Sequence, residues 1–263
     1  MIPYEIIGDV AVIKSFLVKA TVSTLRAQAE IIMERNPHVK TVLYQTAPVI
    51  GEYRTRGLKW ILGKRKTNAI YKENGCLFRI DLPRVYFSPR LSFERMRLAR
   101  LVRPNEIVVN MFAGTGPFSI VIARHSLARL IYSIDLSPAA VDQMIDNIGL
   151  NKVAGRVVPI LGDAAAVVKK DLRGLSDRVL MPLPERSFEY LPYALMALRN
   201  RTGCIHYYDF THARKTEEPV DLVKGKVSKK LESLDVRHSM SLARIVRKVG
   251  PNWYQVVLDV EVG

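Results

Sequence analysis

One stretch narrows the fold more than any other. The apolar run "EIVVN" (106–110) is followed by "MFAGTGPF" (111–118) and then by "SIVIARH" (119–125), which has helical spacing. A strand that is apolar on both faces is buried on both, and a helix entered through a glycine turn covers one of them. Gly114 and Gly116 let the backbone turn sharply and approach a ligand closely. The alternation continues through "LIYSID" (130–135), the helix "SPAAVDQMIDNIGLN" (137–151), "VVPILGD" (157–163), "DRVLMPLP" (177–184) and "CIHYYDF" (204–210). Ser137 is placed to cap its helix, with Pro138 just inside. The expected class is α/β, with a mostly parallel sheet covered on both faces. The tail "LARIVRKVGPNWYQVVLDVEV" reads as two β segments joined at Gly250-Pro251, and "SFERMRLARLV" (92–102) as a helix.

The first 90 residues follow another pattern. "EIIGDVAVIK" alternates like a short strand pair, "TVSTLRAQAEIIMER" is helical up to Asn36-Pro37, and "KTVLYQT" is a strand. "AIYKENGCLFRID" is a hairpin closed by Asn74-Gly75. The basic stretch "GEYRTRGLKWILGKRKT" lies between them. Residues 1–90 are therefore expected to form a small α+β domain, and 91–263 a Rossmann-like one. Neither repeats nor low-complexity segments interrupt them.

Forty Lys+Arg against 25 Asp+Glu give a formal charge of +15, which points to an anionic partner, most simply nucleic acid. Cys76 and Cys204 stand in unlike contexts without C-x-x-C spacing, so neither a disulfide framework nor a zinc site is expected. His125, His206 and His212 lack metal-ligand spacing. No apolar run is long enough to span a bilayer, and "MIPYEIIGDVAVIK" lacks a signal pattern; a cytoplasmic protein is expected.

The glycine turn carries Ser119 where a dinucleotide fingerprint has its third glycine, which favours a smaller nucleoside ligand. Asp135 ends the second strand, at the separation from the turn where an acid meets a ribose. Asp163 ends the third. A glycine turn and two acids on three successive strands make the pattern of an S-adenosylmethionine site. Each aspartate could instead cap the helix that follows it.

The stretches "GEYR" (51–54), "VYFSPRLSFER" (85–95), "MFAGTGPFSI" (111–120), "IDLSPAA" (134–140), "LGD" (161–163), "DRVLMPLP" (177–184) and "GCIHYYDF" (203–210) closely resemble the tRNA (guanine-N1-)-methyltransferases of archaea and eukaryotes, which act on the guanosine just 3′ of the anticodon. The resemblance runs from about residue 5 to the end. It implies a class I methyltransferase fold, S-adenosylmethionine as cofactor, a tRNA anticodon stem-loop as partner, and a monomer. It puts Arg95, Tyr86, Phe112, Gly114, Gly116, Asp135, Leu136, Asp163, Ala164 and Pro182 at the cofactor. It matches Glu94 to the general base and Arg54 to the arginine supporting the reacting guanine. Arg54, Arg90, Pro184, Lys64 and Arg65 fall to the RNA. Family members often carry a further N-terminal domain, which this chain is expected to lack. Two positions depart from the family pattern: Asn110 replaces an aspartate, and Pro182 replaces the asparagine of "N-L-P", as in an archaeal subgroup. Some members of that subgroup also methylate the tricyclic intermediate of wyosine synthesis. Other relatives move the aminocarboxypropyl group of the same cofactor.

The chemistry requires such residues. Guanine N1 is a poor nucleophile until its proton leaves, so a positioned base is needed. The charge developing on O6 wants a cation. Glu94 could supply the first and Arg54 the second. Glu94 could equally be a helix-start acid, with Arg97 three residues on. Tyr86 and Phe87 could stack on a base or belong to the core. Lys64-Arg65-Lys66, Arg54 and Arg56 could line an RNA path, while "HARK" (212–215) and "KGKVSKK" (224–230) read as solvated faces.

Overall fold

The computed structural model describes residues 2–14, 20–48, 51 and 55–263. Seven strands form the main sheet. Its parallel part comprises β7 (Ile107–Asn110), β8 (Leu130–Asp135), β9 (Val157–Leu161), β10 (Arg178–Met181) and β11 (Gly203–His212). From β7 the chain runs outward to β8 and β9, then returns to the other side of β7 with β10 and β11. The crevice at that reversal, beyond the strands' C-terminal ends, is where open sheets of this kind bind ligands. The tail forms β12 (His238–Gly250) and β13 (Trp253–Val262), with β13 inserted antiparallel between β12 and β11. Both tail strands run where the sequence put them, on either side of Pro251.

Five helices position the site. They are α2 (Ser92–Leu101), α3 (Pro117–His125), α4 (Pro138–Leu150), α5 (Ala164–Val167) and α6 (Ser187–Ala197). Ser137 caps α4, its Oγ accepting from the Ala140 amide at 3.3 Å. A further helix, α7 (Pro219–Glu232), covers β11 and the tail strands.

The small unit holds a four-stranded sheet, β1 (Tyr4–Ile7), β2 (Val10–Ile13), β3 (Thr41–Gln45) and β4 (Leu58–Gly63), with α1 (Val22–Arg35) packed on β3 and β4. Strand β4 lies inside the basic stretch, where charge obscures its alternation. The hairpin of β5 (Asn68–Glu73) and β6 (Cys76–Asp81) forms a separate sheet. Its turn residues Asn74 and Gly75 both have positive φ, 47° and 68°, which Asn-Gly accommodates cheaply.

That hairpin packs on the large unit. Asn147 of α4, Asn151 just past its end and Gln143 of α4 accept hydrogen bonds from the backbone amides of Arg79, Leu77 and Asp81 at 2.7, 2.9 and 3.0 Å. Glu73 grips Arg95 of α2 with both oxygens. The Arg95 guanidinium lies between the rings of Phe87 and Phe118, 5.3 and 5.7 Å from their centroids. Phe87 is core, in ring contact with Tyr71 and Phe78. Among the described residues, no helix is long and apolar enough to cross a membrane.

Candidate active site

A cavity of about 340 Å³ opens at the sheet's reversal point. That volume lies in the usual range for small-ligand pockets. The turn after β7 supplies Met111, Phe112 and Gly114 to its wall, and the end of β8 supplies Asp135 and Leu136. Gly162, Asp163 and Ala164 follow β9, and Pro182 and Leu183 follow β10. Tyr86 closes one side; Arg186 and Tyr190 line another.

The Asp135 carboxylate organises the floor. Its Oδ2 accepts from the Gly114 amide at 2.6 Å and its Oδ1 from the Ser137 amide at 3.0 Å. Asp135 therefore ties the glycine turn to the next loop and does not cap α4; Ser137 does. Each oxygen keeps a lone pair for a ligand hydroxyl. Burial raises the Asp135 pKa above the usual carboxylate value, more than those amides lower it. Gly114 has φ of +56° and open space where a Cβ would stand, so the turn presents a bare cradle. Gly116 serves packing instead: at φ +83°, a Cβ would meet Met144 at 2.9 Å.

Asp163 does two jobs. Its Oδ1 caps α5 through the Ala166 amide at 2.9 Å, and its Oδ2 accepts from the Tyr190 hydroxyl. Burial, then the neighbouring carboxylate, pushes the Tyr190 phenol up to about 12, so it stays a donor. Phe112 and Tyr190 meet edge to face at 5.2 Å, an aromatic corner suited to a flat ring. Sequence reasoning missed Tyr190, Arg186 and Leu183. Tyr190 sits in the first turn of α6, and only the fold aims it at Asp163.

Eight sequence-derived cofactor positions therefore share one wall: Tyr86, Phe112, Gly114, Asp135, Leu136, Asp163, Ala164 and Pro182. Arg95 does not reach it, because Glu73 holds its guanidinium in the core. Pro184 is buried away from the lining, and Arg90 is exposed on the approach to α2. Lys64 and Arg65 are exposed just after β4, with the Arg65 guanidinium 4.8 Å from the Trp60 ring centroid. Arg56 leaves the RNA path expected for it: it is buried and paired with Glu5 at 2.5 Å. Arg54 lies outside the described residues. Asn110, one of the two departures, is fully buried at the end of β7. Its amide donates to Ser119 Oγ at 3.0 Å, while its Oδ1 and the nearby Thr115 hydroxyl find no partner among the described residues.

Glu94 is 2% exposed and stands outside the cavity lining. Its Oε1 accepts from Arg97 Nε and Nη2 at 2.9 and 2.7 Å and from the Tyr208 hydroxyl at 2.7 Å. Its Oε2 accepts from Arg244 of β12. Arg97 also binds Asp259, which accepts from His206 at 2.6 Å. The acid at the start of α2 is thus the end of a buried ionic chain crossing β11 and β13. Among the described residues, no three metal-binding side chains converge.

Residues 69–236 match the family model described as the TRM5/TYW2 methyltransferase domain. The chain belongs to this family. It is 35% identical, over 98% of its length and 74% of the relative, to tRNA (guanine(37)-N(1))-methyltransferase Trm5b of Pyrococcus abyssi. It is also 35% identical to tRNA 4-demethylwyosine(37)-methyltransferase Taw21 of Saccharolobus solfataricus, over 98% of the chain and 92% of that protein. A third relative at 35% is the tRNA(Phe) (4-demethylwyosine(37)-C(7)) aminocarboxypropyltransferase of Methanocaldococcus jannaschii, over 99% of the chain and 98% of that protein. Among solved structures, the complex of aTrm5 and tRNALeu superposes with a TM-score of 0.85 at 31% identity, covering 100% of this chain and 72% of that one.

Proposed function

We propose that this protein transfers a methyl group from S-adenosylmethionine to N1 of the guanosine just 3′ of the anticodon of tRNA. Relatives of equal identity act differently on that nucleotide, so the choice among them rests on this chain's own groups. The observation that carries it is the nucleoside-sized cavity at the sheet reversal with Asp135 on its wall; Glu94, buried at the start of α2 outside that lining, is the carboxylate assigned to the N1 proton. An N1–H nucleophile needs that base.

The residues present fit the cofactor. Asp135 has lone pairs for ribose hydroxyls, the Gly114 cradle is open, and the Phe112–Tyr190 corner suits an adenine. Bound there, S-adenosylmethionine supplies an electrophilic methyl on a sulfonium. Asp135 fixes the sugar end through charge-assisted hydrogen bonds. Phe112, Leu136 and Pro182 shed water from the cavity. Glu94 takes the guanine N1 proton, and Arg54 meets the charge on O6. The RNA is held by its anticodon stem-loop on a monomer, with Lys64 and Arg65 on its phosphates.

A second reading extends the first: the tricyclic wyosine intermediate is also methylated. It is favoured by Pro182, which lines the cavity without a side-chain amide to grip one base edge. Nucleoside mass spectrometry tests both readings, using transcript tRNA carrying guanosine and tRNA carrying the tricycle. The first reading requires one added methyl on guanosine, with loss of the N1 proton. An aminocarboxypropyl adduct, or no product on guanosine, refutes it.

A further inference from the structure

We propose that Arg244 is a removable cap on Glu94, lifted when a phosphate of the RNA takes its guanidinium, so that the base is freed only under substrate. The inference rests on Glu94 being the base and concerns how that base becomes available. Its two oxygens are held unequally. Oε1 is saturated by Arg97 and Tyr208. Arg97 cannot leave cheaply: its side chain is 15% exposed and Asp259 binds its other edge. Tyr208 is a fully buried core residue. Oε2 has one donor among the described residues, Arg244, whose side chain is 30% exposed and is the outermost of the three partners. A proton from N1 can therefore reach only Oε2, and only after Arg244 moves.

The position of Arg244 suits such a movement. It lies on β12, the edge strand of the sheet, between two register shifts, at Met240/Leu242 and Ile245/Arg247. Bulges of this kind re-aim side chains and loosen an edge locally. Its other neighbours are weak: a 3.3 Å contact to the adjoining Ile245 carbonyl and the face of Phe93, a ring 71% exposed. Arg247 and Lys248 continue the same strand, giving the edge a row of cations for a polyanion. The pair is lopsided, with Arg244 30% and Glu94 2% exposed, so the cation leaves only when another anion takes it, and a phosphate offers the same charge-assisted bond.

In the freed state the N1–H bond breaks with its electron pair left on nitrogen, and the O–H bond forms at Oε2. The charges facing Glu94 are then Arg97 on its own helix, Tyr208 and His206 on β11, and Asp259 on β13, with Arg244 withdrawn from β12. Losing one adjacent cation raises the affinity of a carboxylate for a proton, which suits a base about to accept one.

Arg244→Ala and the isosteric Arg244→Gln test the cap, with folding checked by melting. Single-turnover methylation at saturating RNA should keep the parent's pH profile, because in the parent complex the guanidinium has already left Glu94. Cofactor-free binding of an anticodon stem-loop should lose about one unit of salt slope, one phosphate contact. Arg244→Lys, which keeps the charge, should keep the parent salt slope. A static structural pair, which stays on Glu94 in the complex, predicts a moved acid limb and an unchanged salt slope; either result in a folded variant overturns the cap. Glu94→Gln separates the two layers. If it turns over within a few-fold of the parent, the base assignment fails and the cap with it. If it is inactive while the Arg244 variants move the acid limb or keep the parent salt slope, only the cap fails.

Discussion

The Asp135 carboxylate joins the turn after β7 to the loop after β8 and still has lone pairs facing the cavity. Removing it should therefore act twice. Asp135→Ala is expected to weaken S-adenosylmethionine binding at least tenfold in calorimetry, since charge-assisted bonds to the ribose are lost and the glycine turn loses its anchor. Asp135→Asn distinguishes the two effects: its Oδ1 can keep one amide contact but its charge is gone, so an affinity near that of the Ala variant assigns the loss to the ligand contact. Unchanged affinity in either folded variant removes Asp135 from the site. For Glu94→Gln the expectation is a hundred- to ten-thousand-fold fall in single-turnover rate, about what a general base contributes, with both ligand affinities kept and partial recovery at high pH. A helix-start role predicts turnover near normal and a stability loss of about 1 kcal/mol or less. Motif spacing made Asp135, Asp163 and the glycines legible, because their chemistry depends on positions along single strands. It could not reveal Tyr190 or Arg244, which reach Asp163 and Glu94 only through tertiary packing, across 27 and 150 residues. Nor could spacing show that Arg95 turns away from the cofactor, since its partner Glu73 belongs to another element.

Strands and helices were largely visible in the pattern because hydrophobic period and cap agree over most of the large unit. The exceptions have physical causes. Strand β4 exposes both Lys59 and Trp60, which point to opposite faces, so its alternation is lost and a basic loop and a half-buried strand look alike. The β5–β6 hairpin was recognised, but its loyalty was not. Nothing in "AIYKENGCLFRID" says that its backbone will be gripped by α4. Asn151 makes the clearest case, accepting from the Leu77 amide at 2.9 Å and donating to the Leu77 carbonyl at 2.6 Å. Asn151→Ala should cost about 1–3 kcal/mol by leaving those backbone groups short of partners, seen as an earlier denaturation midpoint. Faster amide exchange in 76–81 should accompany it. Exchange confined to the small sheet would mean that the hairpin is held from the other side. The turn after β4 carries a separate expectation. Lys64→Ala with Arg65→Ala should raise the Kd for stem-loop RNA and reduce the salt slope by about two units, leaving cofactor affinity untouched. An unchanged slope would take the RNA off this loop.

Across the whole molecule, one buried ionic chain links the floor of the sheet to the start of α2. Glu106 binds Arg178 at 2.7 Å, and Arg178 Nη1 stands 2.7 Å from His206 Nε2. His206 Nδ1 stands 2.6 Å from Asp259, which binds Arg97, which binds Glu94. The protons can be assigned by elimination. An arginine always donates, so His206 Nε2 accepts, Nδ1 carries the hydrogen, and Asp259 receives it. The imidazole is therefore neutral. Burial holds its pKa below the ordinary histidine value despite the Asp259 carboxylate, while His206 and Arg97 hold Asp259 below the ordinary carboxylate value against its own burial. A histidine with a lowered folded pKa binds its proton more readily when unfolded. Its contribution to stability is complete above about pH 6.5, the unfolded value, and is lost as pH falls below it. The Asp259 contribution is lost only further down, below about pH 4. The melting temperature should thus drop between about pH 7 and pH 5, because the unfolded chain takes up a proton that the buried imidazole refuses. His206→Asn keeps a donor toward Asp259 but cannot titrate. It should cost about 1–3 kcal/mol at neutral pH through the unmet Arg178 donor, yet flatten the melting curve over that window. His38, His125, His212 and His238 are not buried, so they remain as an internal control in the variant. Scanning calorimetry of parent and variant across that range decides the matter: an equal slope in both would transfer the titration to another group.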